Sequence, residues 1–232
     1  MRMRKEAFTA LAFLALMAGG GFLPAISVSG EPGKPDLRIL APAKGAGINA
    51  GRALLIGKAA GKETRSVEID VNGKGKQSVA VKRGGFFAPV SLSNGKNVIR
   101  AIGGGASAIL EVNASAKGTY AYHASVEKCA GCHGPEGKGY DVGPVKDKVC
   151  YLCHGRKDGK KMAHGPMGSG ECTACHDPHG SPNKAFTVAR PDTLCVSCHD
   201  QKTSEGHIAK SRGKACTGCH EPHSSDKVYL LK

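Results

Sequence analysis

Cys172-Thr-Ala-Cys175-His176-Asp-Pro-His179 holds, within eight residues, the pattern around which the rest of the chain is arranged. Its core, Cys-x-x-Cys-His, occurs five times: Cys129-Cys132-His133, Cys150-Cys153-His154, Cys172-Cys175-His176, Cys195-Cys198-His199 and Cys216-Cys219-His220. The five copies use all 10 cysteines of the 232-residue chain. Zinc knuckles and oxidised thiols also use paired cysteines, but neither needs a histidine directly after every second one. Cys-x-x-Cys-His is the attachment signature of a c-type haem. Both thiols become thioethers to the porphyrin, and the adjoining histidine becomes an axial ligand of the iron. The sequence therefore predicts five covalently attached haems.

Outward from the motifs, the first cysteines of successive copies lie 21, 22, 23 and 21 residues apart, a short internal repeat. So few residues per haem cannot enclose a core of their own. A haem-dominated region with short helices and little regular structure is expected over 119–232. The remaining histidines are His123, His164, His179, His207 and His223, one spare imidazole for each expected iron. Met162 and Met167 are alternative ligands. His179 and His223 each follow a motif histidine by three residues. They are too close to it to reach the opposite face of the same haem, so each is expected to serve a different one.

The preceding stretch, 31–118, has another character. Short β-like runs, at Leu37–Leu40, Ala53–Ala60, Ser66–Val71, Gln77–Lys82, Phe86–Leu92, Asn97–Ile102 and Ala108–Val112, are separated by turn signals at Asn72-Gly73, Gly84-Gly85 and Asn94-Gly95. Val67, Ile69 and Val71 alternate with polar neighbours. About seven short strands without helical periodicity predict a β-sandwich. The stretch has no cysteine, histidine or methionine to offer an iron. Phe86 and Phe87 are expected in its core, and Asn113 to Gly118 is expected to be a linker.

Two resemblances follow from these residues. Leu37-x-Ile39-x-x-Pro42, Val71-Asn72-Gly73, Gly85-Phe86-Phe87 and Leu92-x-x-Gly95-x-Asn97-x-Ile99 resemble bacterial immunoglobulin-like domains, which implies a spacer or docking module. The run from His164 through Cys172–His176, Pro178-His179 and Cys195–His199 resembles the doubled-CxxCH family of multihaem c-type cytochromes. The first unit, from His123 to His154, has Glu136 where the family pattern has a histidine like His179. The third unit, from His207, ends after His223 with no second motif. If every iron is bis-histidine, some ligand must cross between units. The resemblance implies an electron-transfer protein rather than an enzyme, working with redox partner proteins.

Arg2, Arg4, Lys5 and the apolar run Ala7 to Met17 read as a secretory signal peptide over 1–30. A periplasmic or extracellular location is expected, with no transmembrane segment after its removal. The formal charge of +14 lacks a Lys/Arg block, and haem propionates would offset much of it, so nucleic acid is not an expected partner. Two other roles share these features. One is a subunit of a cell-surface electron conduit or filament assembled through the β-sandwich; the other is a multihaem reductase with one open haem.

Overall fold

The structure, a computed structural model, describes residues 36–61, 64–133, 149–199, 207 and 214–232. The expected signal peptide at 1–30 and Glu136 lie outside the described residues. Eight strands occupy the first part: β1 (Asp36–Ala41), β2 (Gly47–Asn49), β3 (Gly51–Ala60), β4 (Ser66–Val71), β5 (Lys76–Ala80), β6 (Gly85–Leu92), β7 (Gly95–Gly103) and β8 (Ala106–Ser115). They form a three-stranded sheet, β1-β3-β6, and a five-stranded sheet, β2-β8-β7-β4-β5.

Alternation explains the packing. In β4, Val67 and Ile69 are buried while Glu68 between them is exposed. They join Ile99, Leu110 and Val112 from the larger sheet and Leu55, Phe86, Ala88 and Val90 from the smaller one in a single apolar core. Apolar area removed from water in this way, at about 25 cal/mol per Å², is the main stabilising term for such a region. Phe86 is buried and Phe87 packs partly against the same core, as their sequence context predicts.

The turn signals do what their chemistry requires. Asn72-Gly73 opens the β4–β5 connection with both residues at positive φ, 57° and 71°. The Asn97 amide is fully buried and satisfied. Its nitrogen donates to the carbonyls of Ser93 (2.7 Å) and Gly95 (2.9 Å), and its oxygen accepts from Asn72 (2.8 Å) and the Ser93 N–H (3.0 Å). The asparagines of two quoted motifs thus form one corner of the sheet.

Two findings differ from the sequence expectation. Strand β2 is additional, and it pairs parallel to the end of β8, from Gly47↔Asn113 to Asn49↔Ser115. Asn113 to Ser115 are therefore strand rather than linker, because the short β2 supplies a second partner for their backbone groups. The sandwich core also reaches past residue 118 to Tyr120, which is buried within it.

Beyond Tyr120, regular structure becomes sparse. β9 (Ala121–Tyr122) pairs with β11 (Gly180–Ser181), and β10 (Met162–Ala163) pairs with β12 (Ser224–Ser225). Helical segments are short, the longest described being Pro191–Val196. Among the described residues, no helix is long and apolar enough to cross a membrane. Tyr122 ties this region to the sandwich: its hydroxyl donates to the Leu54 carbonyl at 2.9 Å and accepts the Leu54 N–H at 3.0 Å.

Candidate haem-binding centre

Each Cys-x-x-Cys-His is wound into one helical turn. The histidine N–H donates to the carbonyl of the first cysteine in the second to fifth copies: His154 to Cys150 (2.9 Å), His176 to Cys172 (3.0 Å), His199 to Cys195 (3.0 Å) and His220 to Cys216 (2.9 Å). The first copy lies in the helix Cys129–His133. A four-residue step is one helical repeat, so the first thiol and the imidazole emerge on the same side. None of the ten cysteines is joined to another in a disulfide.

Opposite each motif histidine stands a histidine from outside the motifs. His133 faces His179 with ring centres 6.2 Å apart, His154 faces His123 at 6.0 Å, and His176 faces His223 at 6.1 Å. His199 faces His164 at 5.9 Å, and His220 faces His207 at 5.7 Å. An imidazole–metal bond of about 2.0–2.1 Å on each side of one ion puts two ring centres about 6 Å apart. The pairing is one to one and uses every histidine in the chain. The rings are near parallel in the pairs of His133, His199 and His176 (11°, 18° and 12°) and crossed in those of His154 and His220 (62° and 65°). Met162 and Met167, the alternative ligands, occupy none of these facing positions. Met162 lies in β10 and Met167 in the short helix Gly165–Gly168.

The third and fifth motifs belong to two copies of one local structure, 44 residues apart. The His176 Nδ1 meets the Ala185 carbonyl at 2.7 Å, and the His220 Nδ1 meets the Tyr229 carbonyl at 2.7 Å. A carbonyl there holds the proton on Nδ1 and leaves Nε2 as the donor to a metal. The chain reaches these positions through left-handed backbone at Ala185 and Phe186 and again at Tyr229 and Leu230, with φ of 55–56°. Cross-links repeat as well: Asp177 N–H to the Phe186 carbonyl (2.8 Å) matches Glu221 N–H to the Leu230 carbonyl (2.7 Å). Beyond each motif histidine, Asp177 approaches the His179 Nδ1 and Glu221 the His223 Nδ1, both at 3.5 Å.

Burial, then the neighbouring Cys198, pushes the Cys175 thiol up; burial, then Cys216, does the same to Cys195. Among the described residues, no three His, Cys, Asp or Glu side chains gather as a tetrahedral site requires. Burial, then the facing His199, pushes the His164 imidazole down.

The residues fit a haem in three respects. The facing imidazoles leave room for one ion between each pair. Leu152, Met162, Val188, Val228, Tyr229 and Leu231 expose apolar surface in the region of the motifs, surface suited to covering a porphyrin. The Tyr120 hydroxyl is buried without a protein partner and lies against Gly180, next to His179. Buried donors lacking a partner in the protein usually have one outside it.

Known proteins add one informative match. Residues 164–204 match the family model described as the doubled CXXCH motif, which implies covalently bound c-type haem and supports a multihaem c-type cytochrome. The match covers the unit from His164 to His199. No curated protein matches the chain. Solved structures resemble the chain only distantly. An FMN-binding β-glucuronidase from Facaelibacterium prausnitzii L2-6 aligns over 37% of this chain and 13% of its own, at 17% identity and TM-score 0.31. The fibronectin(III)-like modules of Clostridium thermocellum CbhA align over 35% of this chain and 98% of their own, at 17% identity and TM-score 0.30. Domains 4 and 5 of the S-layer protein SbsC align over 35% and 53%, at 15% identity and TM-score 0.24. The chain thus spans a small fraction of the glucuronidase.

Proposed function

We propose that this chain is an exported, periplasmic or extracellular pentahaem cytochrome that passes electrons between redox partner proteins. The observation that carries the proposal is the one-to-one facing of five motif histidines by five others. His133/His179, His154/His123, His176/His223, His199/His164 and His220/His207 are the axial pairs in this assignment, with the five cysteine pairs as covalent attachments. A haem held by these histidines and cysteines would supply reversible one-electron chemistry. The cysteines fix each porphyrin, and the Ala185 and Tyr229 carbonyls orient His176 and His220. Two histidines on every iron leave no face for a substrate, which favours a carrier over a reductase. The sandwich over 31–118, immunoglobulin-like in this proposal, serves as the docking or spacing module beside the haem-bearing residues 119–232.

The test is electron paramagnetic resonance of the oxidised protein, with haem content from intact mass. Five haems by mass and wholly low-spin signals are expected. Ring orientation adds detail: parallel imidazole planes split the iron d orbitals rhombically, whereas crossed planes leave them nearly degenerate and widen the g anisotropy. The low-spin intensity should therefore divide three to two. A high-spin signal worth one haem would refute full bis-histidine ligation and bring the reductase forward.

A further inference from the structure

We infer that Asp177 and Glu221 are positioning residues for His179 and His223, and that their carboxylates give the irons of those histidines lower potentials than the irons of His123 and His164. The inference rests on the ligand assignment proposed above.

Each carboxylate sits at the same place in one of the two structural copies, two residues before the histidine that it meets. Asp177 Oδ1 lies 3.5 Å from the His179 Nδ1 and also accepts the His179 backbone N–H at 2.9 Å. Glu221 Oε1 lies 3.5 Å from the His223 Nδ1. A carboxylate at Nδ1 draws the ring proton to that side and turns Nε2 toward the facing ring, His133 in one copy and His176 in the other. The geometry is the same in both copies, ring centres 6.2 and 6.1 Å apart and planes within 11° and 12° of parallel, and the His199/His164 pair comes close to it without a carboxylate. The contacts are partly shielded from solvent, with Asp177 and Glu221 side chains 29% and 34% exposed. Their charge is felt more there than on an open surface.

Two other distal histidines have neutral neighbours instead. The Ser125 N–H approaches the His123 Nδ1 at 3.3 Å, and His164 hydrogen-bonds to the Pro222 backbone. An imidazole whose N–H faces a carboxylate becomes a richer donor through its other nitrogen and stabilises the ferric over the ferrous ion. Asp177 and Glu221 thereby sort the sites by charge. The signal lies in the sequence as Cys-His-Asp-Pro-His and Cys-His-Glu-Pro-His, an acidic residue at the same point of both copies.

The experiment is a potentiometric titration of the full-length holoprotein, followed by haem absorbance, for Asp177→Asn, Glu221→Gln and the double variant. These substitutions keep shape and remove charge. Each single change should move about one fifth of the absorbance transition to higher potential, and the double change about two fifths. Asp177→Glu should restore the wild-type curve. A double-variant curve that superimposes on wild type, with five low-spin haems retained, would overturn the inference. High-spin iron in the wild-type protein would instead overturn the ligand assignment, and this inference with it.

Discussion

Tyr122 and Tyr120 show how much single side chains contribute at the joint between the sandwich and the motifs. Strand β1 covers β3 only from Ile56 onward, so the Leu54 backbone faces open space on that side. Both Leu54 backbone groups point to that edge, away from Pro89 of β6. The Tyr122 hydroxyl fills the gap by bonding both Leu54 groups. Tyr122→Phe should cost about 1–3 kcal/mol through the unsatisfied groups left behind, read as a lower denaturant midpoint. The two phenols also make stability depend on pH. Burial pushes Tyr122 up, partly opposed by its Leu54 bond; burial, then Asp177, pushes Tyr120 up further. Unfolded tyrosine ionises near pH 10, so above about pH 10 the folded state keeps protons that the unfolded state has lost, and stability falls as pH rises. Denaturant midpoints from pH 8 to 11 should decline above about 10 in the wild type and more shallowly in Tyr120→Phe/Tyr122→Phe. Equal declines would remove the tyrosines as the cause. Neither role was legible in the sequence, because two tyrosines beside an expected linker carry no periodic signal.

At the scale of elements, legibility followed locality. The hairpin at Asn72-Gly73 and the alternation of β4 are encoded within a few residues and could be read directly. The parallel pairing of β2 with β8 joins segments more than sixty residues apart, and three-residue strands have no pattern to read. The loop clamping His176 was hidden for another reason. Left-handed backbone usually announces itself through Gly or Asn, yet here it falls on Ala185, Phe186, Tyr229 and Leu230. That placement has a cost, about 1–2 kcal/mol for each L-residue in the left-handed region. Ala185 is exposed, so Ala185→Gly removes no packing. It should stabilise the holoprotein by about 1 kcal/mol, net of glycine's larger chain entropy, seen as a higher thermal midpoint. Ala185→Val should do the reverse and loosen the carbonyl on His176, because a β-branched side chain tolerates that backbone least. If both variants melted with the wild type, the left-handed turn would store no strain.

Across the whole molecule the motifs could be counted in the sequence but the histidines could not be paired. Spacing alone says that His179 and His223 cannot serve the motif beside them; it does not say which motif they serve. The answer is spatial: each faces the motif histidine 46 or 47 residues before it, His133 or His176. The backbone reinforces this. The His123 N–H donates to the His179 carbonyl at 3.2 Å, and the His164 N–H donates to the His223 carbonyl at 2.9 Å. Each of these two crossing histidines is therefore held by its own copy, by an upstream strand and by the ring that it faces. In the proposed ligation, ligands exchanged in this way would make the region cooperative, since loss of the last copy would remove a ligand from the middle one. His223→Ala tests the wiring. All five haems should stay attached by mass, with one becoming high-spin, and that one should be the haem on Cys172 and Cys175. Removing those two cysteines in the His223→Ala background should abolish the high-spin signal together with one haem. Removing Cys216 and Cys219 instead should leave the signal in place. If the signal followed Cys216 and Cys219, His223 would serve the haem beside it, and the copies would be separable units rather than one interlocked cluster.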